Sequence, residues 1–185
     1  VARQLDAAIH ALAINADIPE VSSALSRVLL NVPEMIRDAE AISRKRGQHL
    51  LAVVKNEADA AGVAVTTGSV AETPPLLSAA AAQHARYYDL ALAGWEAGNP
   101  TSRATIEGLV FGSGRPVVAL PETAAPASFD HIAVAWDGSR VAARALADAH
   151  AFLAIASRVS VLTAVDEKPV GRDVGERLAE ELGRR

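Results

Sequence analysis

The sequence contains no cysteine, so a disulfide framework, a thiol nucleophile and a thiolate metal site are all excluded. Aromatic residues make up only 4% of a chain that is 50% hydrophobic. Its apolar content is largely alanine and valine, which favours alanine-rich helices packed closely on valine-rich strands. No uninterrupted apolar run approaches the roughly 18 residues that would span a bilayer, and no signal peptide is visible. The expectation is a soluble, cytoplasmic protein with no membrane partner. A basic excess is lacking too: 18 Lys and Arg stand against 22 Asp and Glu, a formal charge of -4. Nucleic acid is therefore not an expected partner, and Arg44-Lys45-Arg46 is too short a run to reverse that. The histidines, His10, His49, His84, His131 and His150, are scattered without paired spacing, so no metal site is expected. Ser113 lies in Gly112-Ser113-Gly114 rather than a G-x-S-x-G elbow, which argues against a serine hydrolase.

What is present is organised around Phe129-Asp130-His131-Ile132-Ala133-Val134-Ala135-Trp136-Asp137-Gly138-Ser139-Arg140. The apolar run from His131 to Trp136 has the length and bounds of a strand covered on both faces. Asp137-Gly138-Ser139 supplies a tight turn and caps for a helix over 140–156. An earlier apolar run, 116–121, closes what precedes, and residues 122–128 have the composition of a linker that makes few buried contacts. With 185 residues the chain holds one domain and part of another, since domains run on the order of 100 to 150 residues.

From the start of the chain, Leu5 and Ile9 at helical spacing suggest that residues 1–10 end an amphipathic helix, and 11–15 form a short strand. Helical spacing returns over 22–61, through Leu25, Val28 and Leu29, then Met35, Ile36, Ala39 and Ile42, with a split or kink at Pro33. Gly62 is placed to end that helix, and 63–68 is β-branched enough for a strand. Thr73-Pro74-Pro75 opens a helix continuing over 76–86. A strand over 90–94, a loop over 95–100, a helix over 102–111 and a strand over 117–120 follow, and 173–185 forms a last helix with a solvated face. Strands alternating with helices predict parallel β-α units, helices on both faces of the sheet.

An internal repeat accompanies this order. Ala2-Arg3-Gln4-Leu5-Asp6-Ala7 echoes Ala143-Arg144-Ala145-Leu146-Ala147-Asp148-Ala149. Matching Leu5 to Leu146 gives an offset of 141, whereas matching 11–15 to 161–165 gives 150. The first copy is nine residues shorter between helix and strand, and its own organising strand is missing. This predicts an abnormal junction between His10 and Ala11, with a Cα separation well beyond the 3.8 Å of a normal peptide.

The stretch Ile132-Ala133-Val134-Ala135-Trp136-Asp137-Gly138-Ser139, with the helix through Ala142-Ala143-Arg144-Ala145-Leu146, resembles the universal stress protein family in its tandem-domain form. Tyr88-Asp89-Leu90-Ala91-Leu92-Ala93-Gly94 and Gly112-Ser113-Gly114-Arg115-Pro116-Val117-Val118 carry a second match. The resemblance implies a five-strand parallel sheet of the adenine-nucleotide-binding α/β type with helices on both faces, in two tandem domains: residues 1–122 lacking a first strand, a linker over 123–128, and the start of a second domain over 129–185. It also implies a stress-response role, pairing as a homodimer or between the two domains, and ATP or another adenine nucleotide as ligand.

Members that bind ATP use an acidic residue after the first strand, the end of the second strand, and a loop G-x2-G-x9-G-[S/T] whose backbone amides and following helix N-terminus hold the phosphates. Carried over, the resemblance points to Asp137, Gly138 and Ser139, and to Val165 at the strand end. Asp137 fits a turn and cap role equally well. The loop itself departs from the pattern. Counting from Gly94, the next two glycine positions hold Ala97 and Glu107; counting from Gly98, glycine falls on Gly108 but Leu109 replaces the hydroxyl residue. Gly94, Gly98, Thr101 and Ser102 are what an improvised phosphate cradle would use. The expectation is thus a regulatory ligand-binding module without turnover, its first phosphate loop degenerate. The alternatives are a slow ATP hydrolase or nucleotide-handling enzyme on the same fold, or a non-binding interaction protein.

Overall fold

The computed structural model describes residues 1–19, 31–123, 128–165, 171 and 173–184. It divides into two compact units, Val1–Ala119 and Leu120–Arg185. The chain is of mixed α/β type, but among the described residues its strands join only in twos: β1 (Ile9–Ala16) with β2 (Val65–Glu72), β3 (Ala91–Trp95) with β4 (Val117–Pro121), and β5 (His131–Ala135) with β6 (Arg158–Leu162). The expected single sheet of the first four strands is therefore replaced by two separate pairs. The β1–β2 and β5–β6 pairs are parallel, starting at Ile9↔Val65 and His131↔Arg158.

The chain begins with a 3-10 turn, Ala2–Leu5, instead of an α-helix. Asp6, at φ 49, takes the left-handed conformation that ends the turn, and Ile9 already donates its amide to Ala64. His10 and Ala11 are consecutive residues of β1, paired with Thr66 and Thr67. The expected break there does not exist; one turn of helix simply takes the place of several.

Helix α1 runs Val32–Ala61, and Pro33 stands in its first turn. Proline has no amide to lose there and its fixed φ suits the start of a helix, so it opens α1 and kinks nothing. The earlier part of the predicted helix, with Leu25, Val28 and Leu29, lies outside the described residues. Gly62 ends α1 at φ 69, its amide bonded to Ala58 and Asp59 carbonyls. Strand β2 continues past Gly68, where it was expected to stop. A Cβ there would fall 3.1 Å from the His10 ring and 3.3 Å from Leu12 Cδ1, so the glycine lets the β1 side chains lie across its neighbour.

A 3-10 turn at Pro74–Leu76 leads into α2 (Leu77–Ala85), and α3 (Pro100–Gly112) packs against it. Their contact centres on Gly108, where a Cβ would meet Ser78 Cβ at 2.8 Å. At their C-terminal ends Arg86 donates to the Gly112 carbonyl, while Arg115 donates through two nitrogens to the Arg86 carbonyl. Ser113 is buried and ties the end of α3 to the following turn, donating to Leu109 O and accepting from Arg115 N.

In the second unit the predicted helix over 140–156 is two helices, α4 (Arg140–Asp148) and α5 (His150–Leu153), parted at Ala149 with ψ 3. α6 (Val174–Leu182) packs on β6. Of the linker, Glu122, Thr123 and Ser128 are exposed, and residues 124–127 lie outside the described residues. Buried apolar side chains among the described residues are few: Ala58, Ala82 and Leu109. Met35, Ile42 and Leu50 of α1 are all more than half exposed.

Candidate functional site

Seven of the eight residues that sequence reasoning proposed lie in or beside two strand-to-helix turns. In the first unit, β3 ends at Trp95 and the chain passes through Glu96, Ala97, Gly98 and Asn99 into α3. Gly98 sits at φ 80, a left-handed conformation that favours glycine. Asn99 caps the helix: its Oδ1 accepts from the amides of Thr101 at 2.9 Å and Ser102 at 3.2 Å. Its Nδ2 donates to the Glu96 carboxylate at 2.6 Å. Ser102 Oγ donates to the Gly94 carbonyl at 2.9 Å and accepts from the Glu96 amide at 3.1 Å. Gly94, Gly98, Thr101 and Ser102 are thus gathered at one helix N-terminus, where the Thr101 and Ser102 amides are taken by Asn99 and the Ser102 hydroxyl by the Gly94 carbonyl.

Sequence reasoning missed Glu96 and Asn99. The signal was available in Asn99-Pro100, a good N-cap followed by proline in the first turn. Gly108, aligned by spacing with the last loop glycine, lies in the body of α3 against Ser78, and Leu109 beside it is buried. Spacing alone put Gly108 in a phosphate loop; the helix axis carries it away from the turn. Glu107 does not enter the cradle, since its carboxylate accepts from Arg103 Nε at 2.7 Å on the exposed side of α3. That hydrogen bond first, and the carboxylate's charge second, raise the Arg103 guanidinium above its ordinary pKa; Asp148 acts likewise on Arg144 in α4.

In the second unit, Asp137 Oδ1 accepts from the Ser139 amide at 2.9 Å, and Ser139 Oγ caps α4 by accepting from Ala142 N at 3.1 Å. Gly138 takes φ 71, and a Cβ on it would come within 3.1 Å of Val174 Cγ1 at the start of α6. Val165 does not end the strand as expected: β6 runs Arg158–Leu162, and Val165 lies beyond it, half exposed, at the same end of the parallel pair as Asp137. Near it, Thr163 Oγ1 is the one buried side-chain polar atom without a partner among the described residues. Gly175 closes over it, since a Cβ there would lie 2.9 Å from that oxygen.

A cleft of about 400 Å³ lies elsewhere, between β1 and α1, bordered by Leu12, Ile14, Asn15, Ile42, Arg46 and Leu50. None of the eight proposed residues lines it. Asn15 is buried and donates to Ser69 Oγ at 2.8 Å. Among the described residues no three His, Asp or Glu side chains gather as a metal site would require, and no helix is long and apolar enough to cross a membrane. No protein family matches the chain, and no curated protein matches it.

Proposed function

We propose that the chain is a universal-stress-type regulatory module that acts by binding and not by turnover, with a first unit that binds ATP weakly or not at all. The finer fold belonging to this reading is a five-strand parallel sheet in each of two tandem domains, of which β2, β1, β3 and β4 would be four strands of the first. Turns at strand C-terminal ends that open helices, each with an acidic residue, a left-handed glycine and a cap, support a ligand-binding role at that end of the sheet. Adenine nucleotide is the ligand class this reading carries, with Asp137, Gly138, Ser139 and Val165 as its contacts in the second unit. Pairing between domains or between two copies, and a cytoplasmic stress-response setting, belong to the same reading.

The observation that carries the weak first site is the pair of hydrogen bonds from Thr101 and Ser102 to Asn99 Oδ1. A helix N-terminus attracts phosphate through its unpaired amides and its dipole. Here a side chain occupies two of those amides, and the Glu96 carboxylate braces that side chain from beside the turn. Phosphate would have to displace the cap and approach a carboxylate.

Calorimetric titration of the chain with ATP and magnesium tests the reading. Any saturable binding should survive Gly98→Val and fall at least tenfold on Asp137→Ala. Micromolar affinity that vanished on Gly98→Val would refute the first-unit reading, and magnesium-dependent ATP turnover would refute binding without catalysis.

A further inference from the structure

We propose that His131, Arg158 and Ser160 form a proton-dependent site for a tetrahedral oxyanion, at the end of the β5–β6 pair away from Asp137. His131 and Arg158 are register partners, each at the start of its strand. Arg158 Nη2 donates to His131 Nδ1 at 2.9 Å, and His131 Nε2 lies 2.8 Å from Ser160 Oγ. A guanidinium has donors only and keeps its charge at any ordinary pH. His131 Nδ1 is therefore the acceptor, so the ring in this arrangement is neutral. Its single N–H is on Nε2 and donates to Ser160 Oγ.

A proton on His131 is incompatible with this arrangement. Nδ1 would become a donor aimed at a donor, and two cations would stand on directly opposed residues, a pairing that weakens a ladder. Among the described residues Arg158 has no ion pair to offset the added charge. Asp130, next to His131 in sequence, accepts the Ser157 and Arg158 amides through its carbonyl, and its carboxylate bonds to neither side chain. Gly175 of α6 closes on Val161 and Thr163, which alternate with Arg158 and Ser160 along the strand, so Glu176, Glu180 and Glu181 belong to a helix on the opposite face. In α4, Asp148 is held by Arg144, and His150 of α5 makes no side-chain bond to the pair. The rest of the face, Ala133, Ala135 and Leu162, is uncharged and exposed.

An oxyanion resolves that conflict. Its oxygens accept from both Nδ1–H and the guanidinium, and two opposed cations match a group that carries two negative charges. Hydrogen bonds between ions are about twice as strong as neutral ones. Because only the protonated ring offers Nδ1–H, the proton and the anion each strengthen the binding of the other. Histidine is the side chain whose charge changes between about pH 5 and 8, which sets the range over which the site forms. His10 of β1 supplies a contrast within the same chain. Its Nδ1 lies 2.8 Å from Thr66 Oγ1, its ring stacks on Tyr88, and its register partner is Thr66. Protonation there creates no pair of cations.

The test titrates the full chain with sodium sulfate at constant ionic strength and follows side-chain NMR signals, since sulfate keeps its charge across the whole range. At about pH 5.5 the His131, Arg158 and Ser160 signals should shift and saturate together, and at about pH 8 the affinity should be roughly tenfold weaker or less. His10 should not respond at either pH. Both His131 and Arg158 are exposed, so their variants should keep the fold. Arg158→Gln should abolish the saturable response, and His131→Gln should leave only weak binding that no longer depends on pH. O-phosphoserine binding as tightly as sulfate would assign the site to a phosphate group on a larger molecule, and weaker binding would assign it to the free ion. Equal sulfate affinity at the two pH values, a matching response at His10, or unchanged binding by Arg158→Gln would overturn the proposal. Any of these results leaves the ATP titration unaffected, because that titration reads the Asp137 turn at the other end of β5.

Discussion

The two turns that follow a tryptophan, Trp95-Glu96-Ala97-Gly98-Asn99 and Trp136-Asp137-Gly138-Ser139, use the same parts in the same order. Each places an acidic residue after the strand, a glycine at positive φ, and a capping side chain immediately before the helix. They differ by one residue and one methylene. The shorter Asp137 reaches the amide of its own cap residue, Ser139, and Ser139 then serves a single helix amide. In the longer turn Glu96 cannot close so tightly; it holds the side chain of Asn99 in place, and Asn99 serves two amides. An acidic, glycine-bearing turn after a strand is thus first a device for reversing the chain into a helix. How many amides its cap leaves for an anion depends on which residue does the capping.

Four substitutions test this contrast. Gly138→Ala should be the most damaging, about 2 kcal/mol, because it strains a left-handed residue and also presses a methyl toward Val174; urea unfolding of the second unit would register it. Asn99→Ala comes next at about 1.5 kcal/mol, since two amides lose one acceptor, and exchange at Thr101 and Ser102 should quicken together. Gly98→Ala should cost about 1 kcal/mol, less than its counterpart, because nothing lies within 4 Å of the new methyl. If the two glycine substitutions proved equal by guanidinium unfolding, the contact with Val174 would count for nothing. Ser139→Ala should be mildest, about 0.7 kcal/mol, with only the Ala142 amide released, and a thermal melt would show whether it stays below Asn99→Ala.

The positions of β3, β4 and β5 were legible because each is a short apolar run bounded by turn residues, whereas β6 lies three residues earlier than expected. Gly68 misled because a strand can hold a glycine where neighbouring side chains need its space, and that need arises from His10 and Leu12, far away in sequence. Pro33 misled because its effect depends on whether the helix has already begun. The nine-residue deficit was real in the alignment, yet Asp6 absorbs it by ending the first turn in a left-handed conformation. Pairing of strands in twos was not legible, since edge partners are set by crossovers and not by local pattern. At the candidate site Gly98 lies in the turn before α3 but Gly108 lies within the helix, and the occupation of the α3 amides depends on the Asn99 side chain, which glycine counting ignores.

The arginine clasp at the ends of α2 and α3 has a consequence for ionic strength. Exposed pairs one helical turn apart, such as Lys55–Asp59 and Arg103–Glu107, lose most of their small attraction as salt rises. Arg86 and Arg115 bind carbonyl oxygens instead of carboxylates, so their bonds rest on local dipoles at helix C-termini, which mobile ions screen far less at contact distance. In concentrated salt the exposed Arg103–Glu107 pair of α3 should weaken before this junction does.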